Sequence, residues 1–137
     1  MKVLVLGGAG FLGQVIVKRL LEQEGCSPMI ASRGPRPSQG AEAISLNALD
    51  REHLARVVSD VDCVVNCVTG SKQTIIETSV SLVDVLQNSK HKPKCVHMST
   101  MSVYGGQEGL VAESAATQAD IGWYGEAKIA AERAFSF

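Results

Sequence analysis

A glycine-rich turn near the start of the chain constrains its fold more than any other feature. The apolar run at residues 3–6 leads directly into Gly-Gly-Ala-Gly-Phe-Leu-Gly at 7–13, and a helix-forming stretch follows at once. Glycines let the backbone turn tightly and approach a ligand closely. The helix that follows would direct unpaired N–H groups and the positive end of its dipole at an anion. Strand, turn and helix in this order predict an anion site, and we expect a dinucleotide pyrophosphate there.

The spacing of the glycines leaves two interpretations open. Gly7, Gly10 and Gly13 follow the pattern G-x-x-G-x-x-G, which differs from the G-x-G-x-x-G fingerprint of dinucleotide-binding turns. Gly8 also permits a shifted alignment with that fingerprint. The alternative is a tight strand–helix turn without a ligand, but the position of the turn between a buried strand and a helix favours dinucleotide binding.

Length and charge exclude several classes of protein. The chain has 137 residues, the length of one domain, and we predict a single NAD(P)-binding domain over residues 1–137. Its net charge of −1 gives no electrostatic reason to expect nucleic acid or an anionic membrane as a partner. No run approaches the roughly 20 apolar residues of a membrane span. We expect a cytoplasmic protein whose first residues form a strand rather than a signal peptide.

The four cysteines and three histidines do not form a metal-binding pattern. None of the cysteines belongs to a C-x-x-C pair, and the histidines are widely separated. Free cysteines are among the most buried residue types, whereas a zinc site needs ligands that are grouped closely. We therefore predict buried free thiols and no metal.

Strand-like and helix-like segments alternate along the chain. The predicted strands are 2–6, 28–32, 43–47, 61–68 and 95–99. We expect the fourth of them, 61–68, to be central. The predicted helices are 11–23, 51–59 with Asp50 as N-cap, 72–90 and 123–135, with loops at 34–40 and 105–120. Crossovers long enough for a helix indicate parallel strands. The prediction is an α/β, Rossmann-like, doubly wound parallel sheet of about five strands with flanking helices.

The end of the second strand bears on which dinucleotide binds. NAD-binding proteins usually place an acidic residue about 20 residues beyond the glycines, where it holds the ribose 2′-hydroxyl. Here that place holds Ser32 and Arg33, with Arg36 nearby and no carboxylate. A guanidinium can bind a 2′-phosphate through two hydrogen bonds. We expect NADP(H) rather than NAD(H) on this basis, although NAD is not excluded and both arginines could simply be solvated.

Two further motifs could carry chemistry. Tyr124 and Lys128 are four residues apart, so on a helix they share one face; a phenol titrates near 10, and a nearby ammonium favours its ionised form. Ser99 ends the fifth predicted strand and Thr100 follows it, at the sheet edge where ligands of such folds bind. A hydroxyl there could stabilise charge on a substrate oxygen. The alternatives are a chance Tyr–Lys spacing and hydroxyls that only cap the backbone.

Together these motifs resemble one known family. The glycine turn, Asn66-Cys67-Val68-Thr69-Gly70, Ser-Thr-Met-Ser-Val-Tyr-Gly at 99–105 and Tyr124-x-x-x-Lys128 are similar to the extended short-chain dehydrogenase/reductase family. The NAD(P)-dependent epimerase/dehydratase group is the most similar part of it. By position, the resemblance implies that Tyr124 is the general acid/base, that Lys128 binds the nicotinamide ribose and favours the tyrosinate, and that Thr100 polarises the substrate oxygen.

The resemblance also implies a set of cofactor contacts. Asn47 and Ala48 match the positions that contact adenine, and the loop after the fourth strand matches the segment that covers the cofactor. The full set is Gly7, Gly10, Phe11, Leu12, Gly13, Ser32, Arg33, Asn47, Ala48, Cys67, Val68, Thr69 and Lys128.

The chain departs from the family pattern in three respects. Leu6 stands where many members have Thr, and Met101-Ser102 replace an acidic pair that is typical of dehydratases, so we do not expect a sugar-nucleotide dehydratase. Members usually continue for a further half, and we expect the C-terminal substrate domain to be absent from this chain. The resemblance also implies a homodimer formed through helices 72–90 and 124–135.

Two hypotheses for the function follow. In the first, the chain belongs to an oxidoreductase or epimerase that moves a hydride between a nicotinamide cofactor and a carbonyl or alcohol carbon. Its substrate would be a nucleotide sugar or a small ketone or aldehyde, with Thr100, Tyr124 and Lys128 as the proton relay. In the second, the chain is a non-catalytic dinucleotide-binding module, such as a redox sensor or an assembly factor.

Overall fold

The computed structural model describes residues 1–34, 40–118 and 122–136. The strands are β1 (Lys2–Leu6), β2 (Ser27–Ser32), β3 (Glu42–Ser45), β4 (Cys63–Asn66) and β5 (Lys94–His97). The helices are α1 (Phe11–Leu21), α2 (Arg51–Val58), α3 (Lys72–Asn88) and α4 (Trp123–Phe135), with a 3₁₀ helix at Met101–Tyr104. The expected alternation of strands and helices is confirmed.

All five strands are parallel, in the order β3-β2-β1-β4-β5. The chain builds outward from β1 on one side and then crosses to the other side, so the Rossmann-like doubly wound fold is confirmed. Leu6 is paired with Ala31 on β2 and with Asn66 on β4. The carboxyl ends of these strands therefore lie together, and the loops that leave them meet at one edge of the sheet. Strand β1 is the middle strand of the sheet. We expected β4 to be central, and it lies next to β1, between β1 and β5.

The core has two layers, one on each face of the sheet. Leu4 and Leu6 point to the face that is covered by α2 and α3, whereas Val3 and Val5 point to the face that carries α1. All four side chains are at most 2% exposed. A strand whose successive side chains are all buried needs helices on both faces of its sheet. This requirement explains why the continuous apolar run of β1 occupies the middle.

Several expected boundaries differ from the structure. Strands β4 and β5 end at Asn66 and His97, earlier than expected, because the residues that follow turn away from the sheet after one more ladder hydrogen bond each. Helix α1 ends at Leu21 rather than at residue 23, and α4 has the expected bounds. The four cysteines are free, but they are half-buried rather than buried. Of the loop at 34–40, residues 35–39 lie outside the described residues.

Within the described ranges, we find no helix that combines the length and the apolar character needed to cross a membrane.

Candidate functional site

The glycine turn joins β1 to α1 in a close-packed arrangement. Gly7 has a φ of +74°, and its amide donates to the carbonyl of Ala31 on β2 over 3.0 Å. A β-carbon on Gly13 would meet the Gly7 carbonyl oxygen and would stand 2.6 Å from the Cα of Gly8. Only glycine therefore fits at 13 without moving the turn. Gly10 is the N-cap of α1, and no described side chain caps that helix, so its first amides are open to a ligand.

A cavity of about 490 Å³ opens beyond the carboxyl ends of the central strands. Most of the residues predicted to bind the cofactor line it: Gly7, Gly10, Ser32, Arg33, Asn47, Ala48, Cys67, Val68 and Thr69. The structure thus brings together four segments that are far apart in sequence.

The other predicted cofactor residues do not line this cavity. Phe11 and Leu12 are 88% and 51% exposed on the first turn of α1, and Gly13 is buried beneath the glycine turn. Lys128 is 3% exposed on α4. Sequence reasoning missed the side chains of Thr74 and Thr78 on α3, which complete the wall. Their spacing of four residues, just after the β4 loop, was the available signal.

Arg33 gives the described part of the cavity wall its charge. Among the described residues that line the cavity, Arg33 is charged and no carboxylate is present. Ser32, beside it, donates its hydroxyl to the carbonyl of Gly34 over 2.5 Å, which fixes the end of β2. Arg36 lies outside the described residues.

Tyr124 and Lys128 lie side by side on α4, as their spacing predicts. The Nζ of Lys128 is 6.0 Å from the centre of the Tyr124 ring and donates to the carbonyl of Met98 over 2.7 Å. Burial lowers the pKa of Lys128, and the nearby Cys67 and Glu132 partly oppose that effect. Burial raises the pKa of the Cys67 thiol at the cavity wall, and the Lys128 ammonium partly opposes that rise.

Thr100 stands at the junction between β5 and the 3₁₀ helix. Its Oγ1 accepts from the amide of Ser102 and donates to the hydroxyl of the same residue, both over 3.3 Å. It therefore caps the 3₁₀ helix, which is the alternative role considered above. Both hydrogen bonds are long for hydroxyl donors and amides.

A polar pair connects β4 to β5 beneath the site. The side-chain oxygen of Asn66 accepts from the amide of Val68 over 3.1 Å. Its nitrogen therefore faces Nδ1 of His97, at 3.1 Å, and donates to it. Burial, together with the charge of Lys128, lowers the pKa of His97 to about 4. Phe135, at the end of α4, stacks on the His97 ring with a centroid distance of 4.6 Å. No motif in the sequence indicates this pair.

The cavity and the turn fit a dinucleotide. The open amides of α1 and the closely packed glycines suit a pyrophosphate, and the mainly apolar wall with a few polar groups is typical of a cofactor site. The cavity extends from Gly7 to Asn47 and Ala48 on one side and to Cys67 on the other.

Comparisons with known proteins agree with this fit. The family model "NAD dependent epimerase/dehydratase family" matches residues 3–136. Among solved structures, UDP-N-acetylglucosamine 4-epimerase from Bacillus cereus is 28% identical, with a TM-score of 0.78; the match covers 98% of this chain and 49% of that one. UDP-glucose 4-epimerase from Thermotoga maritima, solved with UDP-glucose, is 25% identical, with a TM-score of 0.81 and coverages of 100% and 50%.

A third structure is similar in fold. UDP-glucuronic acid 4-epimerase from Bacillus cereus, in complex with NAD, has a TM-score of 0.83 at 24% identity, and the match covers 98% of this chain and 51% of that one. The chain thus spans about half the length of these solved proteins. No curated protein matches the chain. Because the family model extends over almost the whole sequence, the chain belongs to the NAD dependent epimerase/dehydratase family.

Proposed function

We propose that residues 1–137 form the dinucleotide-binding domain, with the catalytic side chains, of an epimerase or oxidoreductase that acts on a nucleotide sugar. The observation that carries the proposal is the position of Lys128. Its ammonium lies 6.0 Å from the centre of the Tyr124 ring and donates to the carbonyl of Met98 directly after β5, at the end of the sheet where the candidate cofactor cavity opens. The nucleotide sugar is supported by the 25%-identical structure that was solved with UDP-glucose. A small ketone or aldehyde is the other substrate class that this chemistry would suit.

The proposed chemistry assigns one task to each of three side chains. The bound nicotinamide would supply hydride transfer. Ionised Tyr124 takes the proton from a substrate hydroxyl as the hydride leaves the carbon, and in the reverse direction neutral Tyr124 returns a proton to the oxygen. The Lys128 ammonium stabilises the negative charge on the phenol oxygen while Tyr124 is ionised, before it takes the proton or after it returns it. Thr100 donates a hydrogen bond to the same substrate oxygen, since its long bond to the Ser102 hydroxyl is easily exchanged for a better one.

We further propose NADP(H) as the dinucleotide. Arg33 is the charged side chain among the described residues of the cavity wall, and a guanidinium suits a 2′-phosphate. The UDP-glucuronic acid 4-epimerase structure contains NAD, so this choice would distinguish the chain from that protein.

The test is Tyr124→Phe in the full-length protein, with turnover measured on nucleotide sugars, ketones and aldehydes. Turnover should fall by about 10²- to 10⁴-fold, the usual range for loss of a general acid or base, while dinucleotide affinity stays within about twofold. Tyr104→Phe is the matched control, because the Tyr104 hydroxyl donates only a 3.3 Å bond to the carbonyl of Glu113. Retained turnover in Tyr124→Phe would exclude the proposed role. Dinucleotide binding without turnover of any substrate would support the non-catalytic module instead.

A further inference from the structure

Helix α4 is fastened to the end of β5 by side chains that lie one turn apart. Lys128 donates to the carbonyl of Met98 over 2.7 Å. Glu132, four residues further along α4, accepts a hydrogen bond from the hydroxyl of Ser99. Met98 and Ser99 are consecutive residues at the end of β5. Lys128 and Glu132 lie on the same face of α4, and each of them bonds to one of these two residues.

The position of this contact in the chain gives it a consequence for the site. Thr100 follows Ser99 directly, and Tyr124 lies one turn before Lys128 on α4. The separation between α4 and residues 98–99 therefore sets how the Thr100 hydroxyl and the Tyr124 phenol face one substrate oxygen. Because displacements of about 1 Å can cost about a hundredfold in rate, a bond that fixes this separation matters even though it touches no substrate.

We propose that Ser99 and Glu132 are positioning residues, whose hydrogen bond holds α4 against the end of β5 so that Thr100, Tyr124 and Lys128 keep one working geometry. This inference rests on the proposed function. It adds a role for two side chains that the proposed chemistry itself does not use.

The carboxylate of Glu132 adds an electrostatic effect to this role. Among the described residues, four titratable groups lie near the Lys128 ammonium: Cys67 after β4, His97 on β5, and Tyr124 and Glu132 on α4. Burial lowers the pKa of Lys128, whereas the charge of Glu132 raises it. The same bond that positions the helix thus places a negative charge where it opposes the effect of burial on the Lys128 pKa.

The test compares three variants of the full-length protein with the wild type. Ser99→Ala removes the hydrogen bond and leaves the charge. Glu132→Gln removes the charge and leaves an oxygen that the Ser99 hydroxyl can still reach. The double variant removes both. For each we would measure kcat against pH, dinucleotide affinity against pH, and thermal unfolding.

The proposal predicts a specific set of results. Ser99→Ala should lower kcat about ten- to a hundredfold at every pH, with dinucleotide affinity at neutral pH unchanged. Ser99→Thr, which retains a hydroxyl, should recover most of that loss. In Glu132→Gln the basic limbs of kcat and of dinucleotide affinity should move to lower pH, because the lysine loses its proton more easily. The double variant should be less impaired than the product of the single effects, since both act on one contact.

Controls separate this inference from the proposed function. Glu126 is another carboxylate of α4, and it pairs with Lys72 on α3. Glu126→Gln should leave the pH profile of kcat unchanged. If Tyr124→Phe retains turnover, the proposed function is wrong. If Tyr124→Phe loses turnover while Ser99→Ala keeps the wild-type kcat, or Glu132→Gln keeps the wild-type pH profile, the positioning role is wrong. If Ser99→Ala and Glu132→Gln lower the melting temperature equally and leave kcat unchanged, the contact only packs the helix and the positioning role is wrong.

Discussion

The carbonyl oxygen of Gly7 occupies the space that a β-carbon on Gly13 would need. The first and last glycines of the turn are therefore packed against each other, and the turn cannot accept a side chain at its second end. The contact also explains the spacing of the motif: the helix begins before the chain has moved away from the strand, so its first amides stay beside the cavity.

Replacing Gly13 by alanine should damage both stability and binding. We expect Gly13→Ala to lower the free energy of unfolding by about 1–3 kcal/mol, as is usual when a packed site is overfilled, and to weaken dinucleotide binding. Chemical denaturation and calorimetric titration measure the two effects. Gly106→Ala is the control, because a β-carbon there meets no described atom within 4 Å. Equal effects of both substitutions would contradict the close packing of the turn.

Arg33 should determine the choice of dinucleotide. We expect Arg33→Ala to weaken NADPH binding about tenfold or more, the value of a charge-assisted hydrogen bond, and to leave NADH affinity unchanged. Arg51→Ala is the matched control, since Arg51 pairs with Asp84 away from the cavity. Equal thermal stabilisation of the wild type by NAD and NADP would rule out the preference.

His97 should make the fold less stable in acid. Burial lowers its pKa from 6.5 to about 4, so between these values the unfolded chain binds a proton that the folded chain does not. The free energy of unfolding should therefore fall as the pH drops from about 6.5 to 4. We expect a contribution of about 1–2 kcal/mol, less than the whole shift implies because solvent screens part of the ring.

Denaturation at a series of pH values would measure this dependence. His97→Gln should have a flatter profile between pH 4 and 6.5, whereas His53→Gln on α2 should follow the wild type. An identical slope in His97→Gln would show that other groups cause the acid sensitivity.

Ser81 should stabilise the cavity wall through a buried hydrogen bond. Its hydroxyl donates to the carbonyl of Ala48 over 2.7 Å, and Ala48 lines the cavity. Ser81→Ala leaves that carbonyl buried without this donor, and we expect a loss of about 1–3 kcal/mol in the free energy of unfolding. Ser59→Ala removes a bond of the same length to the carbonyl of Arg56 on an exposed surface, and its effect should stay within about 0.5 kcal/mol. If both variants lost the same free energy of unfolding, burial would not determine how much such a hydrogen bond stabilises the fold.

The elements of the fold were predictable because each has a local cause. The apolar run of β1, the Asp50 cap of α2 and the helical spacing of 123–135 all act within a few residues. The contacts that connect elements were not predictable in the same way. Nothing near His97 in sequence indicates that Asn66 donates to it or that Phe135 stacks on it, because these residues meet only when β4, β5 and α4 assemble.

In the site, too, some features could be predicted from the sequence and others depend on how the elements assemble. Most of the expected cofactor residues line one cavity, since the parallel sheet brings the carboxyl ends of its strands together. Thr74 and Thr78 were missed because their hydroxyls belong to a helix whose orientation depends on the whole sheet. The homodimer, the cytoplasmic location and the catalytic roles stay predictions.

The order of the strands determines which surface is exposed while the chain is being synthesised. β1 is made before the other four described strands, yet it lies in the middle and must pair with β4, whose residues follow after β2, β3 and two helices. Until residues 63–66 have left the ribosome, one edge of the most apolar strand has no partner. During synthesis the nascent chain therefore exposes a surface that chaperones bind, and slower translation between α1 and β4 should lengthen that exposure.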